Sequence, residues 1–466
     1  LGRSAIGLQF VAFVAFVAAG ACKDDAPAPA DDGDAGGTIG GFGSDTLVAG
    51  AGTDLLVGDN GGFGYTTDPL TSVAILTSAQ TSDTSAATGG GDTITAGEGN
   101  NVVLAGVGSD TVTSGAGVDL VLGDNGTIRW TETGQYSAFE TTYPAIGDDD
   151  TLQLGDGDNI VAGGFGSDTI TTGSGQDLIL GDNGAFGYTT DPVSGLAILT
   201  SAQPADPTAA TGAADTILAG EGDNLVIGGL GGDTITTGAG SDLVLGDNGA
   251  ITWTPAGQYD QFATTEPELG GDDIINVGDG NNIVAGGFGA DQITAGSGQD
   301  LLLGDNGSFG YTTDPVSGQA ILTSAQTTDT TEATGGGDTI IAGEGDNVVV
   351  AGVGSDTVTA GSGTDLVLGD NGAITWTPAG VYEQFGTTDP TLGGNDDIRV
   401  GDGNNIVAGG FGADVIETGV GEDLVIGDNG QITYTTDPVS GQAVLTGAQA
   451  TDTTAAAGGN DVIGTG

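Results

Sequence analysis

The chain is poor in residue types on which many enzymes and nucleic-acid-binding proteins depend. Its 466 residues include no His, no Met, one Cys and only four Lys and Arg residues together. The absence of His rules out a Ser-His-Asp triad and an HExxH zinc protease, and one Cys allows neither an intrachain disulfide nor a Cys-rich zinc site. The shortage of Lys and Arg argues against nucleic acid as a partner, because phosphate contacts need them. We therefore expect a protein that is not an enzyme and binds no nucleic acid.

Acidic residues and glycine, by contrast, are abundant. Asp and Glu total 64, which gives a net charge of −60, and Gly contributes 94 residues. Such a charge normally predicts disorder, but 37% of the residues are hydrophobic, and they recur at regular positions. We therefore expect a fold that cations must neutralise. The available ligands are oxygens on flexible glycine-rich loops, and these favour Ca²⁺ over Mg²⁺.

A nine-residue repeat, x-G-x-G-x-(Asp/Asn)-x-(Val/Ile/Leu)-x, runs through most of the chain. Glycine at two fixed places allows a tight turn, and the aliphatic position predicts a very short strand. We call the Asp/Asn position of each repeat a slot. The slots form one partial cluster and six clusters of four, and the second slot of every full cluster is Asn. They are Asp45, Asp54, Asp92, Asn101, Asp110, Asp119, Asp150, Asn159, Asp168, Asp177, Asp215, Asn224, Asp233, Asp242, Asp273, Asn282, Asp291, Asp300, Asp338, Asn347, Asp356, Asp365, Asp396, Asn405, Asp414 and Asp423.

Two kinds of insert alternate between the clusters. Each cluster ends in Gly-Asp-Asn-Gly, and the insert then reads FGYTTDPVSG-AILTSAQ or ITWTPAGQYDQF. Two β-prone runs around a Pro/Gly turn predict a β-hairpin for each insert. An aromatic residue recurs at one hairpin position (Tyr188 or Trp253, for example), either to anchor the hairpin or to stack on a sugar. The whole pattern repeats after about 123 residues, the separation of Asp92 from Asp215. The array covers residues 38–466, with clusters near 40–61, 90–126, 148–184, 213–249, 271–307, 336–372 and 394–430 and a fragment from 459.

The short strands fall into two classes. Thr111–Thr113 reads Thr-Val-Thr, whereas Val102–Leu104 reads Val-Val-Leu. Because strand side chains alternate between faces, strands after the first and third slots expose Thr to water, and strands after the second and fourth slots are apolar on both faces. A strand that is apolar on both faces should be covered on both. We predict that the hairpins or an adjoining roll cover this second face and bury Leu122, Leu180 and Leu245.

The nonapeptide resembles the RTX, or haemolysin-type, calcium-binding repeat, G-G-x-G-x-D-x-U-x. The resemblance covers most of residues 40–430 outside the inserts. It implies an all-β fold, a parallel β-roll or β-solenoid with two nonapeptides per turn, which the hairpin inserts interrupt. It also implies several Ca²⁺ ions between the loops of successive turns, held by the slot residues and by loop carbonyls. Asp92 would share an ion with Asp110, and Asn101 with Asp119.

The Asn slots depart from the family pattern, because an amide carries no charge. Their loops carry acids at other positions, such as Glu98 and Asp156. Two interpretations stay open for these slots. Either they form a weaker calcium site, or the Asn side chains form a ladder that holds no ion.

The N-terminal residues indicate export. Residues 6–21 are an apolar run that is short for a membrane span but suits a signal peptide. The run ends in Ala-Gly-Ala-Cys, which resembles a bacterial lipobox with Cys22 as the lipidated residue; an ordinary signal peptide with an incidental Cys is the alternative. We assign residues 1–22 to this signal and residues 23–37 to an extended Pro/Ala/Asp linker. Any membrane contact would run through the lipid anchor, and the missing initiator Met suggests a fragment.

Together these features predict an extracellular or bacterial cell-surface protein that Ca²⁺ induces to fold. We favour a structural or adhesive protein, a rigid stalk that displays the hairpins, with cell-surface glycans or other surface proteins as candidate partners. Two alternatives remain. The chain could be the repeat region of a larger secreted enzyme or toxin, or a carbohydrate-binding surface module that uses the hairpin Trp and Tyr.

Overall fold

The structure is a computed structural model that describes residues 37–67, 70, 72, 74–205, 211–314, 318, 320–452 and 458–466. The predicted signal peptide, Cys22 and residues 23–36 of the linker lie outside the described residues. All the regular elements in the described part are β-strands. No helix in that part has the length and apolar character needed to cross a membrane.

The described residues form two compact units. The N-terminal unit comprises residues 37–235 with 253–257, and the C-terminal unit comprises residues 236–252 and 258–466. The strands of the N-terminal unit are β1 (Gly37–Ile39), β2 (Thr46–Val48), β3 (Leu55–Val57), β4 (Gly61–Thr67), β5 (Ala74–Thr81), β6 (Thr93–Gly97), β7 (Val102–Leu104), β8 (Thr111–Ser114), β9 (Leu120–Leu122), β10 (Gly126–Trp130), β11 (Tyr136–Thr141), β12 (Thr151–Gln153), β13 (Ile160–Gly164), β14 (Thr169–Thr171), β15 (Leu178–Asp182), β16 (Gly184–Thr190), β17 (Ala197–Pro204), β18 (Thr216–Leu218), β19 (Leu225–Gly229) and β20 (Thr234–Thr236). The strands of the C-terminal unit are β21 (Leu243–Asp247), β22 (Gly249–Trp253), β23 (Tyr259–Thr264), β24 (Ile274–Asn276), β25 (Ile283–Gly287), β26 (Gln292–Thr294), β27 (Leu301–Asp305), β28 (Gly307–Thr313), β29 (Ala320–Thr327), β30 (Thr339–Ile341), β31 (Val348–Val350), β32 (Thr357–Ala360), β33 (Leu366–Leu368), β34 (Gly372–Trp376), β35 (Tyr382–Thr387), β36 (Asp397–Val400), β37 (Ile406–Gly410), β38 (Val415–Thr418), β39 (Leu424–Asp428), β40 (Gly430–Thr436), β41 (Ala443–Ala450) and β42 (Val462–Thr465).

Each unit is built from three sheets, which we number 1 to 3. In the N-terminal unit, sheet 1 has the order β1-β3-β7-β9-β13-β15-β19, sheet 2 the order β2-β6-β8-β12-β14-β18-β20, and sheet 3 the order β4-β5-β10-β11-β16-β17. In the C-terminal unit, the corresponding orders are β21-β25-β27-β31-β33-β37-β39, β24-β26-β30-β32-β36-β38-β42 and β22-β23-β28-β29-β34-β35-β40-β41. Sheets 1 and 2 are parallel and sheet 3 is antiparallel.

Sheets 1 and 2 form the predicted parallel β-roll. Strands after the second and fourth slots enter sheet 1, and strands after the first and third slots enter sheet 2. The middle residue of each short strand points into the roll, so Val103, Val112 and Val121 are fully buried. Aliphatic residues pair with aliphatic residues in the next turn, as Val103 does with Val121. The nonapeptide period therefore fixes both the strands and their register.

The hairpins cover the outer face of sheet 1, as the sequence predicted. Leu122, Leu180 and Leu245 are at most 1% exposed. Leu122 lies directly beneath Gly126, the first residue of hairpin strand β10. The outer face of sheet 2 is exposed to solvent, with Thr on both sides of the buried middle residue. The prediction of one covered and one exposed face is confirmed.

The hairpins do not project separately but join into one antiparallel sheet within each unit. Strand β5 of one hairpin pairs with β10 of the next, and β11 pairs with β16. A buried row crosses these pairs, in which Phe139 packs on Phe186 with ring centroids 5.1 Å apart. Strands lie about 4.8 Å apart, so one hairpin is as wide as two turns of the roll, and successive hairpins meet edge to edge. Among the large hydrophobic residues of the described part, those at the hairpin tips are the most exposed, for example Val193, which is 93% exposed.

The hairpin aromatics are anchors. Trp130, Trp253 and Trp376 are at most 7% exposed, and the Trp130 ring lies 5.8 Å from that of Tyr136 on the paired strand. These indole rings have no open face on which a sugar could stack. The anchoring interpretation is therefore confirmed for the Trp residues.

Candidate calcium-binding edges

The slots lie in the loops that connect the two parallel sheets, along two opposite edges of the roll. The loops that enter sheet 2 carry only aspartate, and we call this row the aspartate edge. It consists of Asp45, Asp92, Asp110, Asp150, Asp168, Asp215, Asp233, Asp273, Asp291, Asp338, Asp356, Asp396 and Asp414.

The loops that enter sheet 1 carry Asn and Asp in alternation after the first position, and we call this row the asparagine edge. It consists of Asp54, Asn101, Asp119, Asn159, Asp177, Asn224, Asp242, Asn282, Asp300, Asn347, Asp365, Asn405 and Asp423. Neighbours within a row are slots of successive turns, as the family resemblance implied.

Within each unit, backbone hydrogen bonds join successive slots of the aspartate edge into a ladder. The N–H of Asp92 donates to Oδ1 of Asp110 at 2.6 Å, and the N–H of Asp150 donates to Oδ1 of Asp168 at 2.8 Å. The ladder also bridges the inserts, because the N–H of Asp110 donates to Oδ1 of Asp150 at 2.8 Å. The structure thus brings together the predicted pair Asp92 and Asp110. It also pairs slots of different clusters, which the sequence analysis did not anticipate.

The second oxygen of each of these carboxylates is buried without a hydrogen-bond partner. This holds for Oδ2 of Asp110, Asp150 and Asp168, whose residues are at most 2% exposed. Oδ2 of Asp150 lies against Gly123 together with the carbonyl oxygen of Gly163, and a Cβ at position 123 would fill that space. A buried anionic oxygen without a donor is costly, so this geometry calls for a proton or a cation.

Burial also raises the pKa of these carboxyls. The pKa of Asp110 rises to about 8 and that of Asp168 to about 7, first because burial removes water from the charged form and then because neighbouring aspartates repel it. The pKa of Asp396 rises to about 8 for the same reasons. Without a positive charge, the aspartate edge cannot hold its full negative charge at neutral pH.

The donor set of the aspartate edge fits Ca²⁺. Ca²⁺ takes six to eight oxygen ligands in flexible geometry, and each pair of turns offers carboxylate Oδ2 atoms beside loop carbonyls such as that of Gly163. Among the described residues, no group of three or more His, Cys, Asp or Glu side chains could hold a metal by itself. Backbone carbonyls and water must therefore supply the rest of the coordination shell.

On the asparagine edge, a side-chain amide occupies the centre of the loop. Nδ2 of Asn159 donates to the carbonyl oxygens of Gly155 and Gly157 at 3.2 and 2.9 Å and to Oδ1 of Asp177 at 3.0 Å. Asn101 makes the same three contacts in its own loop. An NH₂ group thus donates to the loop carbonyls and to the neighbouring carboxylate, which are the oxygens that a cation would need.

The aspartates of the asparagine edge are accordingly less perturbed. The pKa of Asp119 and that of Asp177 rise to about 6 through burial, against which hydrogen bonds from neighbouring side chains and the backbone act. Hydroxyls contribute as well, since Oγ1 of Thr418 donates to Oδ2 of Asp423 at 2.7 Å. Oδ2 of Asp119 and Oδ2 of Asp177 are nonetheless buried without a hydrogen-bond partner, so hydrogen bonds offset only part of the charge on this edge.

The acids elsewhere in these loops accept backbone hydrogen bonds. Oδ1 of Asp156 accepts the N–H of Ser174 at 2.8 Å, and Oε2 of Glu98 accepts the N–H of Ala116 at 2.9 Å. Both contacts are exposed to solvent. These side chains act as caps between successive turns.

The Asp of the Gly-Asp-Asn-Gly motif, for which the sequence predicted no role, lies beside the aspartate edge. Asp59, Asp124, Asp305 and Asp370 are at most 1% exposed. Oδ2 of Asp124 accepts the N–H of Phe165 at 2.5 Å. The signal was present in the sequence, because an Asp begins every hairpin insert.

Comparison with known proteins identifies the repeat. The family model of the RTX calcium-binding nonapeptide repeat, in four copies, matches residues 39–62, 82–126, 146–185, 210–250, 269–308, 332–372 and 391–431. These segments cover more than half of the chain and contain every slot of both edges. No curated protein matches the chain. The repeat family is calcium-binding rather than catalytic. The chain therefore belongs to the RTX calcium-binding nonapeptide repeat family, and it is a calcium-binding repeat protein.

Proposed function

We propose that the chain is an extracellular structural protein with an adhesive role, which folds when Ca²⁺ binds along the aspartate edge. The observation that carries this proposal is the row of buried carboxylates whose Oδ2 atoms have no hydrogen-bond partner, such as those of Asp110, Asp150 and Asp168. At neutral pH these charges repel one another in the metal-free roll. A bound Ca²⁺ supplies the positive charge that offsets this repulsion. Folding and calcium binding are then one equilibrium.

Calcium would bind between the aspartates and not between the asparagines. On the asparagine edge the Nδ2 group of Asn159 already donates to the loop carbonyls and to Asp177. A cation there would have to displace three hydrogen bonds and would gain one carboxylate fewer. Of the two interpretations left open by the sequence, this supports the side-chain ladder.

An extracellular location suits such a switch. Extracellular modules bind Ca²⁺ with a Kd of roughly 10⁻⁴ to 10⁻³ M, so the chain would stay unfolded at cytosolic calcium and become a rigid stalk outside. The hairpin tips are the candidate adhesive surface, because Val193 and Val439 are more than 90% exposed at equivalent positions. Glycans or other surface proteins remain the candidate partners. Membership of a calcium-binding repeat family and the lack of His in the sequence support a protein that is not an enzyme.

A calcium titration followed by circular dichroism and by ion counting tests this function. We expect the metal-free chain at neutral pH to be largely unstructured, the β-signal to appear as calcium is added, and a chelator to reverse it. Several ions should bind per chain. An unchanged spectrum in excess chelator would contradict calcium-induced folding, and a chain without bound calcium would contradict the whole proposal.

A matched pair of variants tests which of the two edges binds calcium. Asp168→Asn and Asp177→Asn each remove one charge from the same cluster, and each keeps an oxygen that can accept the N–H of the preceding slot. We expect Asp168→Asn to lose at least one bound ion and Asp177→Asn to keep the wild-type number. Equal losses from both variants would place calcium on both edges.

A further inference from the structure

The Asp of each Gly-Asp-Asn-Gly motif lies where a hairpin leaves the roll. In the C-terminal unit, Asp305 ends β27 two residues before β28 begins, and it is completely buried. Its Oδ2 accepts a hydrogen bond from the N–H of Val353 in the next turn. Its Oδ1 has no hydrogen-bond partner. One oxygen of this carboxylate therefore serves the backbone, and the other has no assigned role.

A second carboxylate oxygen without a partner lies at the same junction. Asp338 is the first slot after the insert and is 1% exposed, and its Oδ2 has no hydrogen-bond partner. That oxygen lies against Gly304, the residue before Asp305, together with the carbonyl oxygen of Ala351. Asp338 is close enough for its charge to act on Asp305. Two buried carboxylates, that of Asp338 against Gly304 and that of Asp305 against Gly335 and Gly352, thus lie where the chain turns into the hairpin.

The arrangement recurs at other junctions. Oδ2 of Asp92 lies against Gly58, that of Asp150 against Gly123, and that of Asp396 against Gly369. In each case the next residue is the Asp of the motif, and charge repulsion links the two carboxyls. These pairs are Asp59 with Asp92, Asp124 with Asp150, and Asp370 with Asp396. At the last pair, Oδ1 of Asp370 also accepts the N–H of Gly394 at 3.0 Å.

The inserts explain why a carboxylate is needed at this place. Gly164, the last residue of β13, lies against the Asp124 side chain, and its φ of +126° is open to glycine but strained for other residues. In the loop that contains Asp124, the backbone leaves for the hairpin at this point. The Asp124 side chain then occupies the space and accepts the N–H of Phe165. The Asp124 carboxylate thus lies at the point where the hairpin interrupts the loop.

We propose that the Asp of the Gly-Asp-Asn-Gly motif is an additional calcium ligand, which completes the site of the following slot wherever a hairpin interrupts the loop. The inference rests on the proposed function, since it adds a ligand to the aspartate edge. It also gives the hairpins a link to calcium, because Asp305 lies two residues from the first strand of its hairpin. Calcium at the junction would hold sheet 3 in place over sheet 1.

The competing role is structural, that of a carboxylate kept only to accept a backbone N–H. Asn is the discriminating substitution, because its carbonyl oxygen still accepts the N–H while the charge is lost. A purely structural Asp would tolerate Asn without any change in calcium binding. A ligand would not, because the affinity of calcium sites depends on the number of charged ligands.

The test is the double variant Asp124→Asn, Asp305→Asn in the full chain, with one substitution in each unit. We expect two ions to bind about tenfold more weakly or worse, so that calcium just saturating for the wild type leaves the variant two ions short. The control is Glu132→Gln, Glu332→Gln, which removes the same charge from exposed positions of the same two inserts and should bind calcium like the wild type.

A wild-type ion count and calcium midpoint in the double variant overturn the inference. If the double variant does not fold in excess calcium, the single variant Asp305→Asn provides the test. Weaker binding of one ion would support the inference, and unchanged binding of every ion would contradict it. A wild-type chain that binds no calcium overturns the proposed function and this inference with it. Calcium bound normally by the wild type and by both variants overturns the ligand assignment alone.

Discussion

The two edges of the roll satisfy their buried polar groups in two different ways. Each is a stack of tight glycine loops whose polar groups are buried between turns. The aspartate edge places a carboxylate in every loop and leaves Oδ2 atoms such as those of Asp150 and Asp168 without donors. The asparagine edge replaces every second carboxylate with an amide, and Asn159 donates to both loop carbonyls and to Asp177.

The two edges thus share one backbone architecture but differ in the charge that a metal ion would neutralise. The strands that follow the slots of either edge pair in parallel and in register with those of the next turn. What changes is the charge that must be neutralised, since the pKa of Asp110 is about 8 whereas that of Asp177 is about 6. The aspartate edge therefore carries more negative charge along its length than the asparagine edge does.

The largest expected effect is that of pH on the metal-free chain. The folded-state pKa of Asp110 is about 8 and that of Asp168 about 7, well above the unfolded value of about 3.9. A group with a raised folded pKa stabilises the fold below its unfolded pKa, and this stability is lost as pH rises through the folded pKa. Without calcium, the chain should be folded at about pH 5 and unfold as pH rises through about 7 to 8.

Circular dichroism of the calcium-free chain across this range measures the transition. A pH near 5 is preferable to a lower one, because the chain is uncharged near its pI of 4.1 and would precipitate. The control is the same titration in excess calcium, where the fold should persist at neutral pH. A metal-free chain that is more structured at about pH 8 than at about pH 5 would contradict the charge argument.

The next largest effect is expected from a substitution that gives a loop of the asparagine edge the aspartate of the other edge. Asn159→Asp removes a donor from Gly155 and Gly157 and places a buried charge beside Asp177. At calcium that just saturates the wild type, the free energy of unfolding should fall by about 3–5 kcal/mol, the cost of an uncompensated buried charge. Excess calcium should restore it and add one bound ion.

Urea unfolding at two calcium concentrations, with ion counting, checks this conversion. Asp168→Asn is the converse change and should reduce calcium dependence. If Asn159→Asp gains no ion and excess calcium gives no rescue, the identity of the slot residue does not decide which edge binds.

A smaller effect comes from deleting the amide without adding charge. Asn159→Ala leaves two loop carbonyls and Oδ1 of Asp177 without their side-chain donor. The free energy of unfolding should fall by about 1–3 kcal/mol, and the ion count should stay the same. Urea unfolding in saturating calcium measures the first, and ion counting the second. A lost ion would show that the Asn loops do hold calcium.

Much of this architecture follows from the nonapeptide period. The period predicts the short strands, their inward aliphatic residues and the wet and dry faces, because each depends on local spacing and on strand alternation. It also predicts which slots become neighbours, since two repeats make one turn. Asp92 and Asp110 are accordingly joined by a hydrogen bond.

Sheet 3 was harder to predict. The sequence indicates hairpins, but the pairing of Ile128 with Ala79 joins different inserts across a whole cluster. That pairing depends on the match in width between one hairpin and two turns, which no local pattern encodes. The role of Asn159 was likewise open, because an amide can ligate a cation through its oxygen or replace one through its nitrogen. Only the orientation of the side chain distinguishes the two.

The smallest effect concerns the exposed acids of the asparagine edge. If Asp156 were a calcium ligand that compensates for the uncharged Asn159, Asp156→Asn would lose an ion. The structure gives it a different task, since its Oδ1 accepts the N–H of Ser174 at an exposed position, and Asn retains that acceptor. We therefore expect the free energy of unfolding to change by no more than about 0.5 kcal/mol and the ion count to match that of the wild type. Asp168→Asn, which removes the same charge from the aspartate edge, serves as the positive control in the same ion-counting experiment. An ion lost from Asp156→Asn would mean that acids outside the slots complete calcium sites on the asparagine edge, and the contrast between the two edges would then be one of affinity alone.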